Sequence, residues 1–451
     1  MRTIAIIGGG FSGSILAAQL LRRGRTPCRV VLIEKSDRPG PGLAYGTAHP
    51  DHLLNVPAGK MSALPEEPEH FLRWARKSLP QAAADSFLPR KLYGEYVSWI
   101  LDEARRSSPL SLEILGDQAR SLDEEDEKFL VGFDGRDALE ADFVVLAMGN
   151  YPPSQPFDVG PGTAEHPGFI ADYWGARERR IEPDASILLI GSGLTMVDAV
   201  LELASKKHRG PVCAVSRHGL LSRRHESPPR AYPFFMTPLP DSARDLLRLT
   251  RREIEKAAAN GVGWQAVVDS IRPQTNAIWR LLDAAEKNRF LRHVRSYWDS
   301  HRHRMPPEVA DAVTRLQDEG RLTLRAARVR RVSVSPQNNL QVELRPRGSP
   351  ALETVGVDCV INCAGPETHL GRTSSPLLSS LLKERAGLDS LRMGFHLNPD
   401  SGAIVDAQGR ESMRLYALGP LRKGSLWETT AVPELREQAL RTADDLLALI
   451  A

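Results

Sequence analysis

Residues 3–34 read TIAIIGGGFSGSILAAQLLRRGRTPCRVVLIE, and this stretch decides the fold class. Residues 3–7 are a short apolar run of the kind that forms a buried parallel strand, and residues 15–21 carry apolar side chains at helical spacing. The glycine turn between them, residues 8–13, has the spacing G-x-G-x-x-G. The stretch therefore predicts a strand, a phosphate-binding turn and a helix, as in dinucleotide-binding domains.

Each glycine of this turn has its own task in such a unit. Gly8 permits the tight turn, Gly10 lets the backbone approach a pyrophosphate, and Gly13 allows close helix–strand contact. The phosphates then face the amide groups at the helix N-terminus. A second apolar strand, residues 29–33, ends in Glu34, which is placed to accept hydrogen bonds from a ribose diol and repels a 2′-phosphate. The turn is predicted to hold FAD or NAD rather than NADP. The alternative is a glycine-rich turn in an unrelated α/β domain.

A second unit of the same kind begins with SILLIGSGLTMVDAVLEL, residues 186–203. Gly191 and Gly193 are present, whereas Met196 stands at the third glycine position, so the match is partial. The next strand ends in Arg217, and the offsets from the first glycine are equal, since 34 − 8 = 26 and 217 − 191 = 26. Because arginine at this position suits a 2′-phosphate, the second site is predicted to prefer NADPH over NADH.

Two further arginines, Arg223 and Arg224, follow closely in SRHGLLSRRHES. Either is a candidate for an additional phosphate contact. The alternative is a solvated basic loop. The sequence alone leaves both interpretations open.

An internal repeat supports two copies of one fold. ADFVVLAMG at 141–149 and VDCVINCAG at 357–365 share an acid, a run of β-formers and a small-residue turn. Repeats that each contain a β-α-β signature imply duplicated nucleotide-binding domains. The fold class predicted is α/β, with two Rossmann-like domains and a helical insertion. The predicted bounds are 1–155 with 366–451 for a discontinuous FAD-binding domain, 180–221 with 321–365 for an NADP-binding domain, and 222–320 for a mostly helical insertion that is a candidate substrate or lid region.

The helical insertion contains a basic, aromatic stretch between residues 289 and 304, in which Asp299 is the only acid. One interpretation is a site for an anionic ligand or for the NADPH phosphates. Another is a solvated helix face followed by a polar loop. His301 and His303 resemble a metal pair, but no Cys, Asp or Glu completes a recognisable ligand set, so no metal site is predicted.

Length, charge and cysteine content limit the classes of protein to which the chain can belong. A length of 451 residues suggests about three compact units. The charge balance of 59 − 56 = +3 is too small to mark a nucleic-acid binder. Four cysteines exclude a disulfide scaffold and fit a reducing compartment. No stretch is long and apolar enough to span a bilayer. We expect a cytoplasmic protein with neither nucleic-acid nor membrane partners and leave the oligomeric state open.

Motifs along nearly the whole chain resemble the bacterial FAD/NAD(P)-binding protein family with two dinucleotide-binding folds, which is similar to flavin-dependent N-hydroxylating (class B-like) and Baeyer–Villiger monooxygenases. The resemblance rests on IIGGGFSG, GLAYGTAHPDHLLNVPAGKMSA, VLAMGN, LIGSGLTMVDAV, SRHGLL, WDSHRHRMPPE, VINCAGP and LYALGPLRKGSLWETTAVPELR. The family is a weak guide to substrate, because most members have no assigned reaction.

The resemblance implies FAD in the first domain and assigns further contacts to it. Met148 departs from the A-T-G turn of such enzymes, and Pro420 stands where many have the Asp of a Gly-Asp pair. Two of the expected cofactor contacts have a structural alternative: Asn55 would instead cap a turn, and Trp427 would instead belong to the core. The cofactor contacts expected in the first domain are Gly8, Gly10, Phe11, Ser12, Gly13, Glu34, Lys35, Gly42, Asn55, Met61, Ala147, Gly149, Gly419, Trp427 and Thr430. Those expected in the second are Gly191, Gly193, Leu194, Thr195, Arg217, Arg223 and Arg224.

The function expected from this resemblance is an NADPH-dependent monooxygenase that forms a C4a-hydroperoxyflavin with molecular oxygen. It would oxygenate an amine, ketone or sulfur centre of a small molecule, with Asn55, His301 and His303 as candidate catalytic contacts. An anionic substrate is one interpretation of the basic residues near His301 and His303. A flavin reductase or dehydrogenase without oxygen transfer is the nearest alternative, and a non-catalytic nucleotide-binding module is the third. Cys359 and Cys363 are expected to be buried thiols rather than a redox pair.

Overall fold

The computed structural model describes residues 1–36, 38–175, 180–226 and 230–451, without the side chains of residues 383 and 384. The chain forms two compact units. The first comprises residues 1–150, 273–284 and 368–451, and the second comprises residues 151–272 and 285–367.

The strands, in chain order, are β1 (Arg2–Ile7), β2 (Cys28–Ile33), β3 (Ser111–Leu115), β4 (Ser121–Glu125), β5 (Lys128–Gly132), β6 (Leu139–Ala141), β7 (Phe143–Leu146), β8 (Asp158–Val159), β9 (Phe169–Ile170), β10 (Ile187–Ile190), β11 (Val212–Ser216), β12 (Leu322–Val334), β13 (Leu340–Pro346), β14 (Glu353–Val357), β15 (Cys359–Asn362), β16 (Ala403–Val405) and β17 (Glu411–Ala417).

The helices are α1 (Phe11–Arg23), α2 (Gly42–Tyr45), α3 (His70–Ala75), α4 (Arg90–Ser107), α5 (Leu194–Ser205), α6 (Ala243–Ala259), α7 (Trp264–Ile271), α8 (Thr275–Leu281), α9 (Ala284–His293), α10 (Arg295–Arg302), α11 (Pro307–Asp318), α12 (Pro376–Glu384) and α13 (Val432–Ile450). Short 3-10 turns are found at Ala58–Lys60, Arg272–Gln274, Leu370–Arg372 and Gly419–Arg422.

The first unit is built on a six-stranded sheet of order β16-β17-β7-β1-β2-β3. Strand β1 lies between β2 and β7 and pairs parallel with both, and β17 pairs parallel with β7. Helices α1, α4 and α13 pack together and contribute to one apolar core with these strands. Because parallel strands end at the same edge, the segments after β1, β2, β7 and β17 meet at one place, where the order of the strands reverses.

The second unit repeats this arrangement in an eight-stranded sheet of order β14-β13-β12-β11-β10-β15-β9, with β8 paired to β12. Strand β10 lies between β11 and β15 and pairs parallel with both, as β1 does with β2 and β7. Strand β12 continues parallel to β11 and then turns into an antiparallel pairing with β13. The predicted α/β class with two Rossmann-like folds is confirmed.

The acids of the internal repeat have one structural role in both units. The N–H of Thr3 donates to Asp142 Oδ2 at 2.7 Å. The N–H of Ser186 donates to Asp358 Oδ2 at 2.8 Å, and the hydroxyl of Ser186 donates to the same oxygen at 2.7 Å. These hydrogen bonds lower the pKa of Asp358 below its ordinary range. Each carboxylate therefore satisfies a backbone donor at the start of the central strand.

The region 222–320 contains helices α6 to α11. Residues 277–298 do not form one continuous helix, because the helical conformation is interrupted between α8 and α9 and again before α10. Residues 273–284, which include α8, cluster with the first unit, whereas the residues on both sides cluster with the second. No helix among the described residues is long and apolar enough to cross a membrane.

Candidate nucleotide-binding sites

Two glycines of the first turn are required by the protein's own packing. Gly8 has φ +109°, and its N–H donates to the carbonyl of Ile33 at 2.9 Å. A Cβ on Gly8 would lie 2.4 Å from the carbonyl oxygen of Ala147, and one on Gly13 would lie 1.9 Å from that of Gly8. Both distances are far below van der Waals contact, so no side chain fits at either position.

Gly10 differs because the protein leaves room around it. Its φ is −70°, which any residue adopts, and the nearest atom to a Cβ there is Gly42 Cα at 3.6 Å. Gly10 is the N-cap of α1, and no side chain caps the helix there. Gly42 has φ +53° and approaches the turn closely from the other side. The uncapped amide groups and the open space together fit a phosphate group at this helix N-terminus.

Glu34 fixes the glycine turn as well as standing where a ribose is expected. Its Oε2 accepts from the N–H of Gly9 at 2.7 Å, and its Oε1 accepts from the N–H of Ser36 at 3.0 Å. A carboxylate has about four acceptor positions, so two backbone donors leave capacity for hydroxyl groups. Lys35 is exposed beside it.

The C-terminal segment completes this edge of the first unit. Gly419 has φ +67°, and a Cβ there would lie 3.4 Å from Ser12 Oγ, so the turn at Gly419 reaches the start of α1. The N–H of Gly419 donates to Gln438 Oε1 at 3.0 Å, and Thr429 Oγ1 donates to the carbonyl of Gly419 at 3.2 Å. Gln438 Nε2 donates to Thr429 Oγ1 at 2.8 Å, which closes a buried network.

Other residues predicted as cofactor contacts in the first unit are placed as follows. Phe11 is buried, with its ring stacked on Tyr93 at a centroid distance of 6.1 Å, so only its backbone is left to meet a phosphate. Met61 and Trp427 are also buried. Asn55 and Gly149 are half-buried, and Thr430 is exposed. Ala147 is buried and donates its N–H to the carbonyl of Ile7 at 2.8 Å.

The second glycine turn has the same backbone geometry as the first. Gly191 has φ +111°, donates its N–H to Val215 at 2.8 Å, and would place a Cβ 2.6 Å from the carbonyl of Cys363. Gly193 is the N-cap of α5 with φ −84°, and a Cβ there would meet nothing within 4 Å. Met196 is fully buried at the third position. Leu194 and Thr195 are half-buried at the start of α5.

Arg217 follows β11 at the position equivalent to Glu34. Desolvation lowers the pKa of its guanidinium, and the positive charges of Arg295 and Arg328 lower it further. The carboxylate of Asp299, which pairs with Arg295 at 3.4 Å, acts in the opposite direction. An arginine remains protonated despite such shifts, so three cations and one carboxylate act on one another here. In the β12–β13 register, Arg328 lies directly opposite Arg345, which is unfavourable without an anion.

The two arginines of the following loop differ in what they contact. Arg224 pairs with Asp311, with Nε 3.1 Å from Oδ1. The side chain of Arg223 is exposed. Arg223 is thus the one of the two whose guanidinium is available to a ligand, whereas Arg224 must first give up its carboxylate partner.

The predicted catalytic histidines lie at the end of α10. His301 Nδ1 lies 2.8 Å from the carbonyl of Tyr297, to which it donates, and its ring packs edge-on against Trp264 with centroids 4.6 Å apart. His303 Nε2 lies 3.9 Å from Asp299 Oδ1. Both rings therefore have contacts within the second unit, and Asn55 belongs to the first unit. No group of His, Cys, Asp and Glu among the described residues is arranged to hold a metal ion.

The cysteines are free thiols. Cys359 and Cys363 are buried, and burial, followed by the charges of Asp198 and of Cys359, raises the pKa of Cys363 far above its ordinary value. A buried thiol with a raised pKa is a poor nucleophile. Cys359 and Cys363 are therefore buried thiols of the core rather than a redox pair, as the sequence predicted, and the carbonyl of Cys363 lies beside Gly191.

The N-terminal part of the chain also matches a known family. Residues 5–151, about a third of the sequence, match the model of a family described as FAD-NAD(P)-binding. Residues 5–151 form an FAD/NAD(P)-binding domain. This domain contains β1, the first glycine turn, Glu34, and the residues that follow β7.

Solved structures share the fold beyond this FAD/NAD(P)-binding domain. The ornithine N-hydroxylase of Kutzneria sp. 744 is 14% identical with a TM-score of 0.67, covering 100% of this chain and 99% of that one. L-lysine 6-monooxygenase of Pseudomonas syringae is 17% identical with a TM-score of 0.64, covering 100% and 98%. The bacillithiol disulfide reductase Bdr of Staphylococcus aureus is 14% identical with a TM-score of 0.58, covering 100% and 99%. No curated protein sequence matches the chain.

The structure adds residues to the site that sequence reasoning missed. The charge of Arg328 acts on Arg217, but the sequence LTLRAARVRR gave no sign of which of its arginines would do so. Asn276 and Trp279 contact the segment after Gly419 in the unit that contains the FAD/NAD(P)-binding domain. Their sequence pattern only indicated a helix, because no local motif reports a contact made about 150 residues away.

Proposed function

We propose that the protein is an FAD-dependent, NADPH-using oxidoreductase that acts as a monooxygenase on a small molecule. The observation that carries the proposal is the contrast between Glu34 and Arg217. Both follow glycine turns of the same geometry, with φ +109° at Gly8 and +111° at Gly191. A carboxylate accepts hydrogen bonds from ribose hydroxyls, whereas a guanidinium pairs with a 2′-phosphate. Two different dinucleotides are therefore proposed for one chain.

FAD is assigned to the first unit. The amide groups at the start of α1 and the space beside Gly10 would hold its pyrophosphate, and Glu34 its adenosine ribose. Pro420 has neither a carboxylate nor an N–H, so the turn at Gly419 contributes its backbone close to Ser12 instead. When bound, FAD supplies hydride acceptance and the activation of oxygen.

NADPH is assigned to the second unit. The start of α5 and the space beside Gly193 would hold the pyrophosphate, and Arg217 the 2′-phosphate. Arg295 and Arg328 add positive charge at the same place, and a phosphate dianion there relieves their mutual repulsion. Arg223 is proposed as a further phosphate contact and Arg224 as a minor one, since Arg224 already pairs with Asp311.

The substrate is proposed to be a small amine, with molecular oxygen as the second substrate. The support is the fold shared with an ornithine N-hydroxylase and an L-lysine 6-monooxygenase. Asn55, His301 and His303 stay candidate substrate contacts, and the basic residues around α10 support an anionic group on the substrate. The four free cysteines support a cytoplasmic location.

A flavin reductase is the second candidate, because a disulfide reductase shares the fold. The two are separated by product analysis. The FAD-loaded protein is given NADPH, oxygen and a panel of diamines and amino acids, and NADPH, oxygen, peroxide and hydroxylated amine are measured together. A monooxygenase yields about one hydroxylated product per NADPH with one amine. NADPH turnover that depends only on a dye or quinone, with no oxygenated product from any amine, would favour the reductase.

A further inference from the structure

Helix α8 belongs to the first unit although the chain on either side of it belongs to the second. Its inner face is buried: Ile278 is 3% exposed and Trp279 is 2% exposed. Leu281, the last residue of the helix, is 53% exposed on the outer face. The helix is therefore fixed within the first unit by one face, and the partner of that face is the loop of residues 424–430.

Asn276 holds this loop through a reciprocal pair of hydrogen bonds. Its Nδ2 donates to the carbonyl of Glu428 at 3.1 Å, and its Oδ1 accepts from the N–H of Glu428 at 3.1 Å. A primary amide is the side chain that provides one donor and one acceptor in this geometry. Glu428 is only 7% exposed, so its backbone groups depend on this pairing rather than on water.

Trp279 holds the start of the same loop. Its Nε1 donates to the carbonyl of Gly424 at 2.9 Å. Its ring lies against that of Trp427, with centroids 4.8 Å apart and planes inclined by 32°. Arg280, the next residue, donates to Asp400 Oδ1 at 2.9 Å, which fixes the end of α8 to a second point of the first unit.

The loop held by α8 continues into the turn at the proposed flavin site. Thr429, directly after Glu428, donates to the carbonyl of Gly419, and Gln438 bridges Thr429 and the N–H of Gly419. Gly419 in turn lies beside Ser12 at the start of α1. Hydrogen bonds therefore connect Asn276 to Glu428 and the adjacent Thr429 to Gly419, and Gly419 closely approaches the start of α1.

We propose that Asn276 and Trp279 are positioning residues for FAD. They hold residues 424–430 in the conformation in which Thr429 supports the Gly419 turn, which approaches the start of α1, where the pyrophosphate of FAD would bind. This inference rests on the proposed assignment of FAD to the first unit. It assigns to α8, in the middle of the helical region, a role in the flavin site rather than in a substrate lid.

The test uses the full-length protein freed of FAD and compares four variants with wild type. Asn276→Ala removes both hydrogen bonds, and Asn276→Asp keeps the acceptor but sets a carboxylate against the Glu428 carbonyl. Trp279→Phe keeps the ring contact and removes the Nε1 donor. Leu281→Ala is the matched control, on the exposed face of the same helix. FAD affinity is measured by quenching of flavin fluorescence, and backbone order by hydrogen exchange of peptides covering 424–430.

Wild type and Leu281→Ala are expected to bind FAD equally. Asn276→Ala is expected to bind about tenfold more weakly, since two net hydrogen bonds are lost, and Trp279→Phe about threefold more weakly. Exchange in 424–430 should rise in the same order, even before FAD is added. Wild-type FAD affinity and wild-type exchange in Asn276→Ala would overturn the inference, and Trp279→Phe provides the same test if Asn276→Ala does not fold. A wild-type protein that binds no FAD contradicts the proposed function itself, and the exchange data then report on the loop alone.

Discussion

Replacing Arg217 by alanine should reduce the preference for NADPH over NADH, and the structure sets the size of the effect. A hydrogen bond to a charged group contributes about 1.5–3 kcal/mol. Arg217 is accessible to solvent, and Arg295 and Arg328 remain to attract the phosphate, so the lower end of this range applies. A loss of about 1.5–2 kcal/mol corresponds to about 10- to 30-fold.

The assay is steady-state NADPH and NADH oxidation by the FAD-loaded protein, read as kcat/KM for each nucleotide. Arg217→Ala should lower kcat/KM for NADPH about 10- to 30-fold, mainly through KM, and change that for NADH little. Arg328→Ala should act in the same direction with a smaller effect, and the double variant should lose most of the preference. Raising the salt concentration should weaken NADPH binding more in wild type than in Arg217→Ala. An unchanged nucleotide preference in Arg217→Ala would refute the assignment of the 2′-phosphate to this position.

Three other changes test separate parts of the account. Gly10→Ala should fold normally, because its Cβ meets no protein atom within 3.5 Å, but it should bind FAD about tenfold or more weakly, because the Cβ occupies the space proposed for the pyrophosphate. Gly13→Ala should fail to fold, because its Cβ would lie 1.9 Å from a carbonyl oxygen. Circular dichroism, which reports folding, and flavin fluorescence, which reports FAD binding, distinguish the two variants. Serine at both Cys359 and Cys363 should leave flavin reduction by NADPH unchanged, since both thiols are buried and burial raises the pKa of Cys363. Loss of NADPH turnover without loss of fold would reinstate disulfide chemistry. Asp358→Asn should lower the melting temperature at neutral pH by about 2 °C. Because the folded-state pKa of Asp358 is depressed below its ordinary 3.8, the stabilisation by its carboxylate is present above that value and is lost as pH falls through the folded-state pKa. A difference in melting temperature between variant and wild type that persists at pH about 2 would contradict this role.

Local sequence patterns were sufficient to predict the backbone geometry of the two glycine turns. The spacing of Gly8, Gly10 and Gly13 specifies backbone geometry directly, because Gly8 and Gly13 have no room for a Cβ in the folded chain. The equal offset of Glu34 and Arg217 follows from two β-α-β units of the same length. The repeated acids Asp142 and Asp358 were visible as a pattern, and their shared role as acceptors for a backbone N–H required the structure.

Contacts between distant segments were not accessible from sequence. The pattern around Asn276 and Trp279 predicts a helix in an insertion, yet these residues contact Glu428 and Gly424 in the first unit. Arg217 and the two arginines that act on it likewise come from the end of β11, from α10 and from β12, and spacing along the sequence does not report that these elements pack together. Periodicity reports which face of an element is buried and does not report its partner.

The measurement that tests the central claim most directly is the visible spectrum of the FAD-loaded protein titrated with NADPH, and separately with NADH, in the absence of oxygen. The account predicts that NADPH bleaches the flavin band quickly and that NADH does so far more slowly at the same concentration. A protein that cannot be loaded with FAD, or whose bound flavin is bleached equally by both nucleotides, would contradict the assignment of two different dinucleotides to the two units.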